Sequence, residues 1–364
     1  MQTLILSTCG TSLLTNVAGE QRNLVTRHAN ARKSEEVPLE DRAVLEALIG
    51  EMLRKLNEAT RERQAELSAE LNGLLRYYEG RPDSSRDTHW LIATDTWLGG
   101  ATADAIAQEL KKIGHQVQVR SIQDLRTNSL DEFRSAMTEL ARICTQEVQG
   151  YRAKGWKVVF NLTGGFKSVQ GFMQALGMLY ADESVYVFER THELLRLPRL
   201  PIQLDAETLV REHQHILRRL ASGLPVSSQA ARNIPDTLLM EVDGQVAFSA
   251  WGEVILAEAG RDLLKERLWE PVDDKLHFGP GFEKCVANYT GDRLRMINER
   301  LAQLARHINE PKFNPSSLDF KPLKGKHTPW THECDAWADQ DARRLFGHYE
   351  GRVYVVDALD KALH

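Results

Sequence analysis

At 364 residues, 42% hydrophobic and 27% charged, the chain has the composition of an ordinary globular protein with room for two or three domains. A net charge of −5 excludes a broadly cationic nucleic-acid coat, while leaving room for a local basic site. Cys9, Cys144, Cys285 and Cys334 form no CxxC pair, which argues against a disulfide framework or structural zinc. The opening MQTLILSTCG lacks the basic segment and long apolar run of a leader or membrane span, so a cytoplasmic location without membrane contact is expected.

Short runs rich in Val, Ile and Leu at 3–8, 89–94, 115–120, 157–162 and 184–189 read as strands. Helical patterns fall between them at about 39–78, 101–113, 129–153 and 167–181. Strands alternating with helices predict an α/β fold with a parallel, doubly wound sheet. The stretch 39–78 reads as two amphipathic helices inserted between the first two strands. LPRLPIQLD, with two prolines, ends the sheet domain near residue 203.

Residues 204–270 begin with a helix at about 205–221. Asp243-Gly244 then sits between LLMEV and QVAFS as a hairpin signal. Together these suggest a winged-helix-like linker module. Its turn region offers only Arg232, so a structural or dimerising role is expected rather than DNA reading. Residues 271–364 read as an α+β domain. A helical stretch at 283–309 has Leu294, Ile297, Leu301, Leu304 and Ile308 on one face. Strands at Arg343–His348 and Arg352–Asp357 follow, joined at Glu350-Gly351.

Three polar, glycine-containing turns follow predicted strands: STCGTSLL (7–14), ATDTWLGGATA (93–103) and NLTGGFKS (161–168). In a doubly wound sheet the ligand lies beyond the carboxyl ends of the strands, where these turns gather. NLTGGFKS is not a Walker loop, because the required glycine spacing is missing and Phe166 replaces the last glycine. The physics of an anion site survives: Gly164 and Gly165 let backbone approach, and helix-start amides with Lys167 and Ser168 attract negative charge.

The three turns resemble the ligand loops of CARF domains of CRISPR-associated defence proteins, with NLTGGFKS matching their Gly-Gly-x-Lys loop. The resemblance covers about the first 200 residues. It implies a Rossmann-like fold, a homodimer, and binding of a cyclic oligoadenylate across the two-fold axis, with cyclic tetra-adenylate as the expected allosteric activator. Lys167 would meet phosphate, with Gly164, Gly165 and Ser168 beside it. Gly10, Thr11 and Ser12 would offer donors, and Thr94, Asp95, Thr96 and Gly99 would flank the ring. Some CARF domains also cleave their ligand slowly through its own 2′-hydroxyl, a task open here to Thr11, Ser12 and Lys167.

At the other end, Arg343-x4-His348 satisfies the literal Arg-x4-6-His pattern of HEPN ribonucleases. That motif belongs on a helix, and the sequence around it here reads as strand. Asp357, Asp360 and Lys361 are of the types used in metal-dependent restriction-like chemistry, without its pattern. The last 80 residues instead resemble RelE-like mRNA interferases, through LDFKPLKGK, ARRLFGHY and the C-terminal VYVVDALDKALH. The resemblance implies cleavage of mRNA on the ribosome by attack of the substrate's own 2′-hydroxyl, chemistry that needs no metal or cofactor. Such a reaction takes a base, an acid and cations on the phosphorane. Lys324, Lys326, His327, Arg343, Arg344, His348 and His364 are the candidates, with Arg343 and Arg344 on opposite strand faces. The expected partners are the cyclic oligoadenylate, mRNA and the ribosome. The alternative is a CARF transcriptional regulator whose winged helix binds DNA and whose C-terminal domain is structural.

Overall fold

The computed structural model describes residues 2–79, 87–126, 129–188, 193–201, 206–242, 244–327 and 329–361, leaving aside the side chains of 242 and 324–327. The chain divides into two units, Met1–Gln203 and Leu204–His364.

In the first unit β1 (Thr3–Thr8) leads into α1 (Ser12–Val17), α2 (Arg22–Arg27), α3 (Leu39–Glu58), α4 (Arg61–Leu67) and α5 (Ala69–Tyr78). Next come β2 (Thr88–Thr94), α6 (Trp97–Lys112), β3 (Gln116–Ile122) and α7 (Leu130–Ile143), which runs through a π-helical turn into α8 (Gln149–Ala153). β4 (Lys157–Asn161), α9 (Lys167–Tyr180), β5 (Glu183–Val187) and β6 (Leu194–Pro198) complete it. The strand order is β3-β2-β1-β4-β5-β6, parallel except for β6. This is a Rossmann-like, doubly wound sheet. The chain moves outward from β1 through β2 to β3, then returns to the other side of β1 with β4. The topological switch point therefore lies between the ends of β1 and β4.

Apolar runs put the core where expected: Leu4, Ile5, Leu6, Val158, Val159 and Phe160 are buried. The insertion differs from the two-helix expectation, because Ala59-Thr60 and Ser68 break it into three. Thr60 and Ser68 each cap a new helix, accepting from Arg63 N–H and Leu71 N–H. The sheet also runs past the expected end. Leu194–Pro198 pairs antiparallel with β5, and its proline is tolerated because β6 is an edge strand.

In the second unit the helix expected at 205–221 is two helices, α10 (Ala206–Glu212) and α11 (Gln214–Ala221). They are followed by α12 (Ser228–Ala231), the hairpin β7 (Leu239–Val242) and β8 (Gln245–Phe248), and α13 (Ala250–Glu266). Asp243 of the hairpin turn lies outside the described residues. After β9 (Leu276–Phe278) the helical stretch expected at 283–309 splits into α14 (Phe282–Val286) and α15 (Gly291–Asn309). The strands β10 (Lys321–His327), β11 (Trp330–Trp337), β12 (Arg343–Glu350) and β13 (Val353–Lys361) follow. Their order is β10-β11-β12-β13-β9, antiparallel except for β9 against β13.

The apolar face of α15 packs Ile297, Leu301 and Leu304 against Trp337, Leu345 and Val356 of the sheet. Asn298, buried on the same helix, ties it to the stretch after α13. Its amide donates to the Leu264 and Arg267 carbonyls, both at 2.9 Å, and accepts from Trp269 N–H at 3.0 Å. Among the described residues, no helix is long and apolar enough to cross a membrane.

Candidate functional site

Two loops border the switch point. Gly10 follows β1, and Gly164-Gly165 follows β4; a Cβ on Gly10 would lie 3.3 Å from the Gly165 Cα. Gly165 has φ of +95°, and any side chain there would also meet Thr8. The Thr8 hydroxyl donates to the Gly164 carbonyl at 2.5 Å, and Gln170 Nε2 donates to Leu162 and Gly164 carbonyls at 3.0 Å each. The β4 loop is thus fixed from both sides, delivering the chain to the start of α9.

α9 begins at Lys167 behind Phe166, which makes no side-chain capping bond, so among the described residues no cap satisfies its first amides. Lys167 and Ser168 are exposed, and among the described residues Lys167 has no ion pair. Helix-start amides, a helix dipole and an unpaired ammonium form an electropositive patch at the switch point.

The residue that sequence reasoning missed is Glu70 on α5, whose side chain is fully buried. One carboxylate oxygen accepts from Gly10 N–H at 2.9 Å. The other accepts from the Ser12 hydroxyl at 2.7 Å and the Ser68 hydroxyl at 2.8 Å. Its backbone carbonyl accepts from Asn161 Nδ2 at 3.0 Å. Gly10 and Ser12, expected to offer donors to a ligand, therefore spend them on Glu70. Thr11, between them, has no side-chain capping bond. Burial, then the Glu70 charge, pushes the neighbouring Cys9 thiol well up, so Cys9 is an inert packing residue. The sequence did carry a signal: Glu70 falls on the apolar stripe Leu67, Leu71, Leu74 and Tyr77 of the insertion, where an isolated carboxylate is costly.

The β2 turn does different work. Thr94 and Thr96 hydroxyls meet at 2.8 Å, and Thr96 caps α6 by accepting from Gly99 N–H at 3.2 Å. All three residues are buried. Asp95 is half-buried and paired with Arg32 at 3.3 Å and Arg126 at 3.5 Å, and it accepts from Asp124 N–H at 3.1 Å. Of this group Asp95 is half-buried, its partner Arg32 is exposed and Arg126 is buried.

In the second unit, Arg344 and His348 share the outer face of β12. Arg343 lies on the opposite face, paired with Asp341 at 3.1 Å and Asp360 at 3.5 Å. Arg344 pairs with Glu333, which is 2% exposed, and with Asp335 at 3.2 Å. The second Glu333 oxygen is buried without a hydrogen-bond partner among the described residues. A bulge in β13 leaves Asp357 as the surplus residue between the pairs Phe346–Ala358 and Gly347–Val356. It brings Asp357 Oδ2 to 2.7 Å from His348 Nδ1, while His348 Nε2 lies 3.2 Å from Glu350 Oε1. The hydrogen bond to Asp357, helped by Glu350, raises the His348 pKa above its ordinary 6.5. Trp330 and Phe346 stack beside this pair, with centroids 4.9 Å apart.

Lys324, Lys326 and His327 belong to β10, but their side chains lie outside the described set, as does all of His364. Arg343-x4-His348 sits on a strand, as its pattern predicted, and not on a HEPN-type helix. Of the run His332, Glu333, Cys334 and Asp335, Cys334 turns into the core while Glu333 and Asp335 hold Arg344. Between α11 and β7, α12 has four residues, and the exposed Arg232 is the sole cation of 227–242.

With the loops at the switch point in place, a family match locates the first unit. Residues 65–200 match the family model of CRISPR-associated protein (Cas_APE2256). The matched segment runs from α4 to beyond β6, so it includes Glu70, the β2 turn and the whole β4 loop. No curated protein matches the chain. Among solved structures, Can2 from Sulfobacillus thermosulfidooxidans in complex with cyclic tetra-adenylate is similar at 11% identity. That likeness covers 80% of this chain and 76% of that one, with a TM-score of 0.26. Protein VC1899 from Vibrio cholerae is similar at 9% identity over 95% of this chain and 76% of that one, with the same TM-score, 0.26. The strand order, rather than these distant likenesses, defines the Rossmann-like fold of the first unit.

Proposed function

We propose that this chain is a CRISPR ancillary effector, a ribonuclease switched on by a cyclic oligoadenylate, with cyclic tetra-adenylate the best-fitting ring. One observation carries the sensor half: Lys167, exposed and unpaired among the described residues, opens an uncapped helix beside the glycine loop at the switch point. In a homodimer two such patches would face one ring, and the ring's phosphates would meet two ammonium groups and two helix starts. Slow cleavage of the ring would fall to Thr11 and Lys167, because the Ser12 hydroxyl is held by Glu70.

The effector half is an mRNA interferase acting at the ribosome. His348, held by Asp357 and with a raised pKa, suits the acid that protonates the leaving 5′-oxygen. Arg344 on the same face suits the phosphorane charge. Activation is a population shift, requiring the ring to bind the active arrangement more tightly than the idle one.

The test is cleavage of messenger RNA in a translating extract with and without cyclic tetra-adenylate, using wild type, Lys167→Ala and Arg344→Ala. Ring-dependent cuts at ribosome positions, absent in both variants, are expected. A wild-type protein that binds the ring yet leaves RNA intact on and off ribosomes would end the interferase reading.

A further inference from the structure

Glu70 is a carboxylate buried at the root of a site that attracts anions, an arrangement that costs energy unless the charge has a task. Its bonds show which task. Gly10 and Ser12 belong to the β1 loop, and both donate to it. The β4 loop rests on it from the other side: a Cβ at Gly164 would fall 2.3 Å from its Oε1. One turn further along α5, a Cβ at Gly73 would fall 2.1 Å from Asn161 Oδ1 and 2.5 Å from the Thr163 hydroxyl. The same Asn161 donates to the Glu70 carbonyl and to the Ser7 hydroxyl at 3.2 Å. Helix α5 therefore touches the ends of both central strands, and Glu70 is its point of contact with both loops.

We infer that Glu70 is the positioning residue of the ligand site, setting the separation of the β1 and β4 loops so that the Lys167 helix start meets phosphate. The inference rests on the cyclic-oligoadenylate reading and deepens it. By consuming the Gly10 and Ser12 donors, Glu70 also takes those two residues out of phosphate recognition and leaves that task to α9. A glutamine cannot replace it, since three donors converge on two anionic oxygens and an amide supplies one acceptor oxygen.

The experiment titrates cyclic tetra-adenylate into the full chain carrying Glu70→Gln, Ser12→Ala, Ser68→Ala or Lys167→Ala, beside wild type, at several salt concentrations. Circular dichroism and melting curves run in parallel. Glu70→Gln is expected to weaken binding about tenfold or more while leaving the salt slope of log Kd unchanged, because Glu70 touches no phosphate. Lys167→Ala should weaken binding and flatten that slope. Ser68 bonds Glu70 but lies outside the loops, so Ser68→Ala should lower the melting temperature without the affinity loss that Ser12→Ala shows. If Glu70→Gln does not fold, the contrast between Ser12→Ala and Ser68→Ala decides the matter alone. Unchanged or tighter binding by a folded Glu70→Gln, or equal affinity losses for the two serine variants, overturns the assignment while the ligand reading stands. A wild-type chain that binds no ring overturns both.

Discussion

Replacing His348 with alanine is expected to lower ring-dependent RNA cleavage by about 10²- to 10⁴-fold, the usual worth of one positioned proton donor. Binding of cyclic tetra-adenylate should be unaffected. The expectation rests on the 2.7 Å contact with Asp357 and the 3.2 Å contact with Glu350, which favour the imidazolium. As an acid, His348 works while protonated, so activity should decline as pH rises through its raised pKa, above the ordinary 6.5. Asp357→Asn removes the main cause of that shift, and the alkaline limb should move to lower pH with the protein still folded. The same pair bears on stability. A folded-state pKa above the unfolded value gives a contribution fully present below about pH 6.5 and lost as pH rises through the raised value. Cleavage rates across pH for the two variants check the proposal; an undiminished rate in His348→Ala would remove His348 from the chemistry.

Gly164→Ala is expected to abolish ring binding and to destabilise the first unit by about 2–3 kcal/mol. The added methyl would lie 2.3 Å from one Glu70 carboxylate oxygen and 2.4 Å from its carboxyl carbon. A fully buried side chain has no free space to retreat into, so either the β4 loop lifts or Glu70 loses its donors. Lifting the loop moves the Lys167 helix start, and losing the donors frees the β1 loop. Gly171→Ala on the exposed side of α9 is the matched control, since a Cβ there meets nothing within 4 Å. Melting temperature and ring affinity of the two variants provide the measurement. Wild-type affinity in Gly164→Ala would show that the two loops are not coupled through Glu70.

β1, β2 and β4 were legible because their apolar runs are buried on both faces, and the partly buried β3 and β5 because QVQVRSI and ESVYV alternate β-branched residues with others. β6 was not, since LLRLP at an edge is half exposed and its proline reads as punctuation. β10 and β11 were missed for a related reason: KPLKGKH and WTHECDAW carry too many polar residues to alternate cleanly. Around the candidate sites, glycine spacing and an isolated lysine located the β4 loop. Glu70 looked like one more charge on a glutamate-rich helical insertion, and only the pairing of β1 with β4 brings α5 against both loops. Similarly, Arg344 and His348 could be named from the strand pattern, whereas their acidic partners depend on cross-strand register and a bulge, neither of which local sequence specifies.

That bulge separates architecture from chemistry within a single residue. Val356 pairs with Gly347 and Ala358 with Phe346, so the ladder on either side of Asp357 is already in phase. An in-frame deletion of Asp357 would close the gap into a regular ladder, with every neighbour facing the side it faces now. What would vanish is the carboxylate at His348. The sheet thus carries this carboxylate as a removable insertion, and a lineage could gain or lose the His348–Asp357 contact by one codon without redesigning the domain.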